Sequence, residues 1–312
     1  MGTTVDGLAV VSHHRGRRGA LRLTDAAART ALDRAGLTPD DVDLLINVGI
    51  YHDRLLGEPA LAALIQEDIG AHPEDPHDGD HGTFSFDVAN GACGLLTGLR
   101  VAHGFLAAGT IRHALVVAGD ANPGRRLTRH FPFAAAGAAL ACGWADGPAG
   151  VSAFAFAHRP AEHLFRAEVG FVRGHNRLLV EELPGFSESA GAWAGEIAAR
   201  ALREQGLRPE DVDVVIANPL DARFLRALRE AAGLSTDQAV AAEHARPIHT
   251  AGLAVAWDEA RRRGRLPAGA TALLVSAGAG LTAGAAVFRV VPAAMAARDT
   301  VAARTGRPAT TS

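Results

Sequence analysis

Apolar positions along the chain recur with two different periods. In "AAARTALDRAG", from Ala26 to Gly36, they return every three or four residues, which predicts an amphipathic helix closed by a glycine. A Pro-Asp-Asp turn and the short apolar run "LLIN" follow. Further along, "GLLTGLRVAHGFLAAG" predicts a helix with small residues on one face. "HALVVAGD" then reads as a strand apolar on both sides, as strands covered on both faces are. The same order returns in the second part of the chain. "IAARALREQGLRPEDVDVVIANPL" gives helix, glycine, turn and strand; "TAGLAVAWDEARRRGRL" gives a helix and "TALLVSAGAG" a strand.

The two stretches match in register. Gly36 pairs with Gly206, Pro39 with Pro209, Asp41 with Asp211 and Asp43 with Asp213, a constant offset of 170 residues. The pattern predicts an α/β protein of two halves related by a pseudo-twofold. The N-terminal half covers residues 1–148 and the C-terminal half 149–291, with the turn sequence "ADGPAG" at the junction. Residues 292–312 read as a poorly ordered tail.

The repeat also places chemistry. Cys93, in "ANGACG", and His249, in "PIHTAG", stand at equivalent points, each where a buried helix begins. A pseudo-twofold brings those helix starts together at the centre. The positive end of a helix favours a thiolate, so Cys93 is the candidate nucleophile. His249 has the pKa range of a base. Cys142, inside the apolar run "AALACGWAD", reads as an inert core thiol. Tyr51 lies in "YHDR", at the end of a predicted strand, where loops of α/β proteins often line sites.

Composition narrows the classes. The 312 residues carry a net charge of −3, which gives no electrostatic footprint for nucleic acid. No run of about 18 apolar residues predicts a membrane span, and two cysteines suit a reducing cytoplasm. All 31 cationic Lys and Arg positions are arginine, which excludes lysine Schiff-base chemistry and the phosphate-binding lysine of a P-loop. The stretch "HPEDPHDGDHG" mixes histidines and acids, but its glycines and prolines read as a surface loop, and no metal is expected.

Taken together, "FDVANGACGLLTGLRVAHGFLAAGTIRHALVVAGD", "EPALAALIQEDIG" and "RLPAGATALLVSAGAGLTAGAAVFRV" resemble the ketoacyl-ACP synthase III branch of the thiolase superfamily. The resemblance covers about residues 20 to 290 and implies a five-layer αβαβα fold, a homodimer and an acyl-cysteine intermediate. It implies no permanently bound cofactor, with coenzyme A or phosphopantetheine thioesters as substrates and acyl-CoA or an acyl-carrier protein as partner. The sequence also departs from the branch. Asn218, in "ANPLDARF", stands where those enzymes carry a histidine, and His249 stands where they carry an asparagine. True thiolases have this exchanged order, but Ser276 replaces their second cysteine.

Acyl transfer needs a nucleophile, a base and donors for an oxyanion. Cys93 and His249 fill the first two roles. The Cys93 amide and one from Gly278, Ala279 or Gly280 are candidates for one oxyanion hole, and His249 with Asn218 for a second. Asp221 is a candidate to orient His249. Arg125 and Arg126 are candidates to hold the donor, because the early coenzyme-A-binding segment of the branch is shortened here. The alignment places Glu58 where the branch has an apolar residue that closes the partner's acyl pocket; Glu58 also reads as an acid at the start of a helix. The reading is an acyltransferase or condensing enzyme. A degenerate dimer partner and a thioesterase stand beside it as alternatives.

Overall fold

The computed structural model describes residues 1–12, 19–72, 82–124, 126–128, 130–161, 164–172, 175–239 and 246–290. The first half runs β1 (Gly2–Ser12), α1 (Ala20–Ala35), β2 (Leu44–Asn47), α2 (Leu61–Ile69), β3 (Phe84–Asp87), α3 (Gly94–Ala107), β4 (Ala114–Asp120) and β5 (Ala136–Ala145). The second runs β6 (Gly150–His158), β7 (Phe165–Val172), β8 (His175–Glu182), α4 (Phe186–Glu204), β9 (Val214–Asn218), α5 (Ala222–Ala232), α6 (Gly252–Arg262), β10 (Thr271–Gly278) and β11 (Thr282–Arg289).

The repeat seen in the sequence is repeated in the hydrogen bonds. Short 3-10 turns at Pro39–Asp41 and Pro209–Asp211 each follow a helix and each close by a side chain at the third turn residue, Asp41 or Asp211. Asp43 accepts the N–H groups of Arg112 and His113 just before β4, and Asp213 accepts that of Thr271 at the start of β10. Equivalent aspartates therefore tie β2 to β4 and β9 to β10, which are parallel neighbours.

Nine strands form one mixed sheet in the order β3-β2-β4-β5-β1-β6-β11-β10-β9. β1 and β6 meet only at Thr3 and Val151, so the sheet is two parts joined at a seam. Residue alternation along each strand separates the cores. Leu44, Ile46 and Val116 of the first part and Ile216, Leu274 and Ala286 of the second enclose α3 and α6 from both sides. The opposite faces pack on α1 and α2 in one half and on α4 and α5 in the other. The layers are thus helix, sheet, helix, sheet, helix, the expected thiolase-like arrangement. α3 and α6 can be central because their inward faces are small and apolar, and the N-termini of both reach the same place. No helix among the described residues is long and apolar enough to cross a membrane. Arg125, residues 73–81 of the histidine-rich loop and the 292–312 tail lie outside the described residues.

Candidate active site

Cys93 ends the turn Gly91–Cys93 and caps α3. It is fully buried. Its thiol donates to the Thr282 carbonyl at 3.4 Å. Burial pushes the thiol up to about 12, and the nearby Gly284 N–H offsets only part of that. The helix start alone therefore does not produce a standing thiolate: the cost of a charge in an enclosed site outweighs the helix end. Cys142, buried in β5, is shifted upward by the same cause and then by Asp6.

His249 precedes α6 and is buried. Its Nδ1 lies 3.3 Å from Asp120 Oδ2. That contact is an ion-pair distance but falls outside hydrogen-bond geometry. Asp120 ends β4 with 2% of its surface exposed and gathers the site around itself. Oδ1 accepts the N–H groups of Ile50 at 3.1 Å and Tyr51 at 2.7 Å. Oδ2 accepts the Thr250 N–H at 2.9 Å and the Thr250 hydroxyl. Burial alone would raise this carboxyl, but His249, Thr250 and the Tyr51 amide together hold it down at about 2. Asp120 is thus a buried carboxylate facing the imidazole.

Asn218 stitches the two helix starts. Its Nδ2 donates to the His249 carbonyl at 2.8 Å and to the Ala92 carbonyl at 3.2 Å. A side chain at Gly252 would meet the Asn218 amide at 2.2 Å, so glycine is required at the start of α6. Gly278 matters similarly: a Cβ there would stand 3.2 Å from the Ala92 nitrogen and 3.6 Å from that of Cys93. The glycine loop thereby lies against the nucleophile turn. Ser276 sits between Asn218 on β9 and Gly284 on β11, wholly buried, with no hydrogen-bond partner for its hydroxyl among the described residues.

Several candidates have other places. Asp221 is the cap of α5, where Oδ1 accepts the N–H groups of Arg223 and Phe224; the carboxylate facing His249 is Asp120. Asn218 has both Nδ2 hydrogens committed, so it offers no donor for a second oxyanion. The Cys93 N–H donates to the Asn90 carbonyl at 3.0 Å. Glu58 is exposed ahead of α2, and it is Asp87 that accepts the Leu61 and Ala62 N–H groups at that helix start. Arg126 is exposed, and its carbonyl accepts from Arg177 at 2.7 Å. Tyr51 is brought to the centre, with its ring 5.0 Å from that of His249. Asp120 was the residue sequence reasoning missed. Its signal was a lone charge closing the buried run "HALVVAGD".

A cavity of about 380 Å³ lies beside the centre. Asn218, Ile248 and Gly252 line its inner side, and Glu182, Asp221, Arg223 and Arg246 give it charge.

Residues 202–290 match the family model described as 3-oxoacyl-[acyl-carrier-protein (ACP)] synthase III C terminal. A curated relative, beta-ketoacyl-[acyl-carrier-protein] synthase III 1 of Bacillus cereus, is 27% identical over 273 residues, covering 84% of this chain and 81% of its own. The crystal structure of 3-oxoacyl-[acyl-carrier-protein] synthase III from Aquifex aeolicus superposes with a TM-score of 0.78 at 20% identity, covering 92% of this chain and 100% of that one. OleA of Xanthomonas campestris, solved with bound lauric acid and lauroyl-CoA, gives a TM-score of 0.74 at 20% identity, covering 92% and 99%.

Proposed function

From the premise that this chain is a ketoacyl synthase III-like member of the thiolase superfamily, an acyltransferase-class enzyme, we propose that it moves acyl groups through a thioester on Cys93. The observation that carries the reading is the Asp120–His249 pair held beside the Cys93 turn by Asn218. With Nδ1 turned to Asp120, Nε2 is left for the thiol. His249 takes the thiol proton as the Cys93 sulfur attacks the donor carbonyl. The donor carbon–sulfur bond breaks, the acyl–Cys93 bond forms, and His249 returns the proton to the departing thiol. A thiol held near 12 makes such a base necessary.

The acceptor step follows from the same geometry. Condensation needs two donors on an enolate oxygen, and Asn218 has none to spare. The arrangement suits a hydroxyl or amine acceptor, which His249 deprotonates. Carbon–carbon condensation is the second reading, favoured by the names of the relatives. The cavity beside Asn218 suits the arm of a coenzyme A or carrier-protein thioester, with Arg223 and Arg246 to meet its phosphate. Lauroyl-CoA on OleA is consistent with such a donor. We also read the chain as a homodimer joined through β3, an outer strand of the sheet that leaves Phe84 60% exposed.

Intact-mass measurement after incubation with a panel of acyl-CoAs and acyl-carrier proteins tests the transfer. One acyl group, mapped to the Cys93 peptide, is expected, followed by release to a hydroxyl or amine. No adduct with any donor, or an adduct on Cys142 alone, would overturn it.

A further inference from the structure

The imidazole of His249 is held by more than Asp120. The Phe133 ring stacks on it at 4.5 Å and 27°. Tyr51 lies against it at 5.0 Å and 45°. Phe131 braces both, 5.3 Å from Tyr51 and 5.6 Å from Phe133, each edge-on. Leu178 of β8 closes this buried cluster. The supports are tied to the same segment as the base. Ala134 donates its N–H to the Pro247 carbonyl at 2.8 Å, Arg246 donates to the Phe131 carbonyl, and the Tyr51 N–H is held by Asp120.

Asp120 Oδ2 already accepts two hydrogens from Thr250, and its contact with Nδ1 lacks hydrogen-bond geometry. The carboxylate attracts the ring without fixing its plane. Stacking fixes the plane, and an aromatic face carries the negative lobe of its quadrupole, which favours a cation upon it. We propose that Phe133 and Tyr51 form an aromatic clamp on His249: positioning residues that aim Nε2 at Cys93 and stabilise the imidazolium formed when the thiol proton arrives.

The clamp rests on the acyl-Cys93 reading for its role, but not for its existence. The ionisable groups around the imidazole are Asp120 at Nδ1, the Cys93 thiol that the proposal sets opposite Nε2, Tyr51 on its flank and Glu182 from the end of β8. Phe133 brings no charge of its own, but it also stacks on Tyr51 at 5.7 Å and 24°, so its replacement reaches both rings of the clamp. Both clamp rings are nearly sealed from water, with 5% of Tyr51 and 4% of Phe133 exposed, where an aromatic face acts on a cation with least screening.

The test compares the full chain with Phe133→Leu and Phe133→Tyr. The His249 pKa is read by NMR without any acyl donor, its signal assigned by its loss in His249→Gln. Cys93 acylation is followed in parallel. Phe133→Leu should lower the His249 pKa by about half a unit to one unit and slow acylation about tenfold, with donor KM within about twofold. Phe133→Tyr should restore both. An unchanged pKa and rate in Phe133→Leu, or no rescue by Phe133→Tyr, would overturn the clamp. Should Phe133→Leu fail to fold, Tyr51→Leu takes its place, and a wild-type pKa there would overturn it equally. Wild-type protein that takes no acyl group would sink the transfer reading alone, because the clamp is judged by the pKa.

Discussion

Asp25 of α1 is a buried carboxyl at the edge of the N-terminal core, with Oδ1 unpartnered among the described residues. Burial, then the charge and hydrogen bond of Asp68, push it up to about 7, against a smaller pull from Arg29. The sign is fixed by linkage. The folded state keeps a proton that the unfolded chain releases near pH 4, so stability falls as pH rises from about 4 to about 7 and the loss is complete above that. Asp25→Asn, neutral throughout, should melt higher than wild type at pH 8, by a margin that shrinks toward zero at pH 4. Thermal melts across that range measure it; an equal margin at both ends would contradict the assignment. At this scale the sequence reveals some residues and hides others. Cys93 and His249 were legible because the internal repeat puts both at helix starts. Asp120 was not, because it meets Thr250 across 130 residues, a contact that no local pattern encodes. Asp221 looked better placed, three residues after Asn218, yet the local need of α5 for a cap claims it.

Among elements, β3 is an outer strand of the nine-stranded sheet. It pairs only with β2, and Phe84 and Phe86 pack together at 5.3 Å on it. An edge strand with unpaired backbone groups and an exposed aromatic ring invites a second chain. Phe84→Arg should convert a dimer into a monomer by light scattering. A monomeric wild type, or a dimer indifferent to the change, would remove β3 as the contact. Helices and buried strands were legible because their periods differ. The hairpin of β7 and β8 was not anticipated, although "FRAEVGFV" alternates as a strand should. Its value lies in what it covers: Leu178 reaches the aromatic cluster around His249, a tertiary contact without a sequence signature.

For the whole molecule, duplication explains why a site exists where it does. Two copies of one unit place two helix starts at the centre, and divergence filled one with a thiol and the other with an imidazole. The central claim is that His249 removes the proton from a thiol that burial keeps protonated. The most direct measurement is the single-turnover rate of acyl-Cys93 formation in wild type and His249→Ala, followed from pH 6 to 10 by quench and mass spectrometry. The account predicts a loss of about 100-fold or more at pH 7. It also predicts that the gap narrows as pH climbs toward the thiol value of about 12. Equal rates at pH 7 would contradict it and would mean that Cys93 ionises without His249.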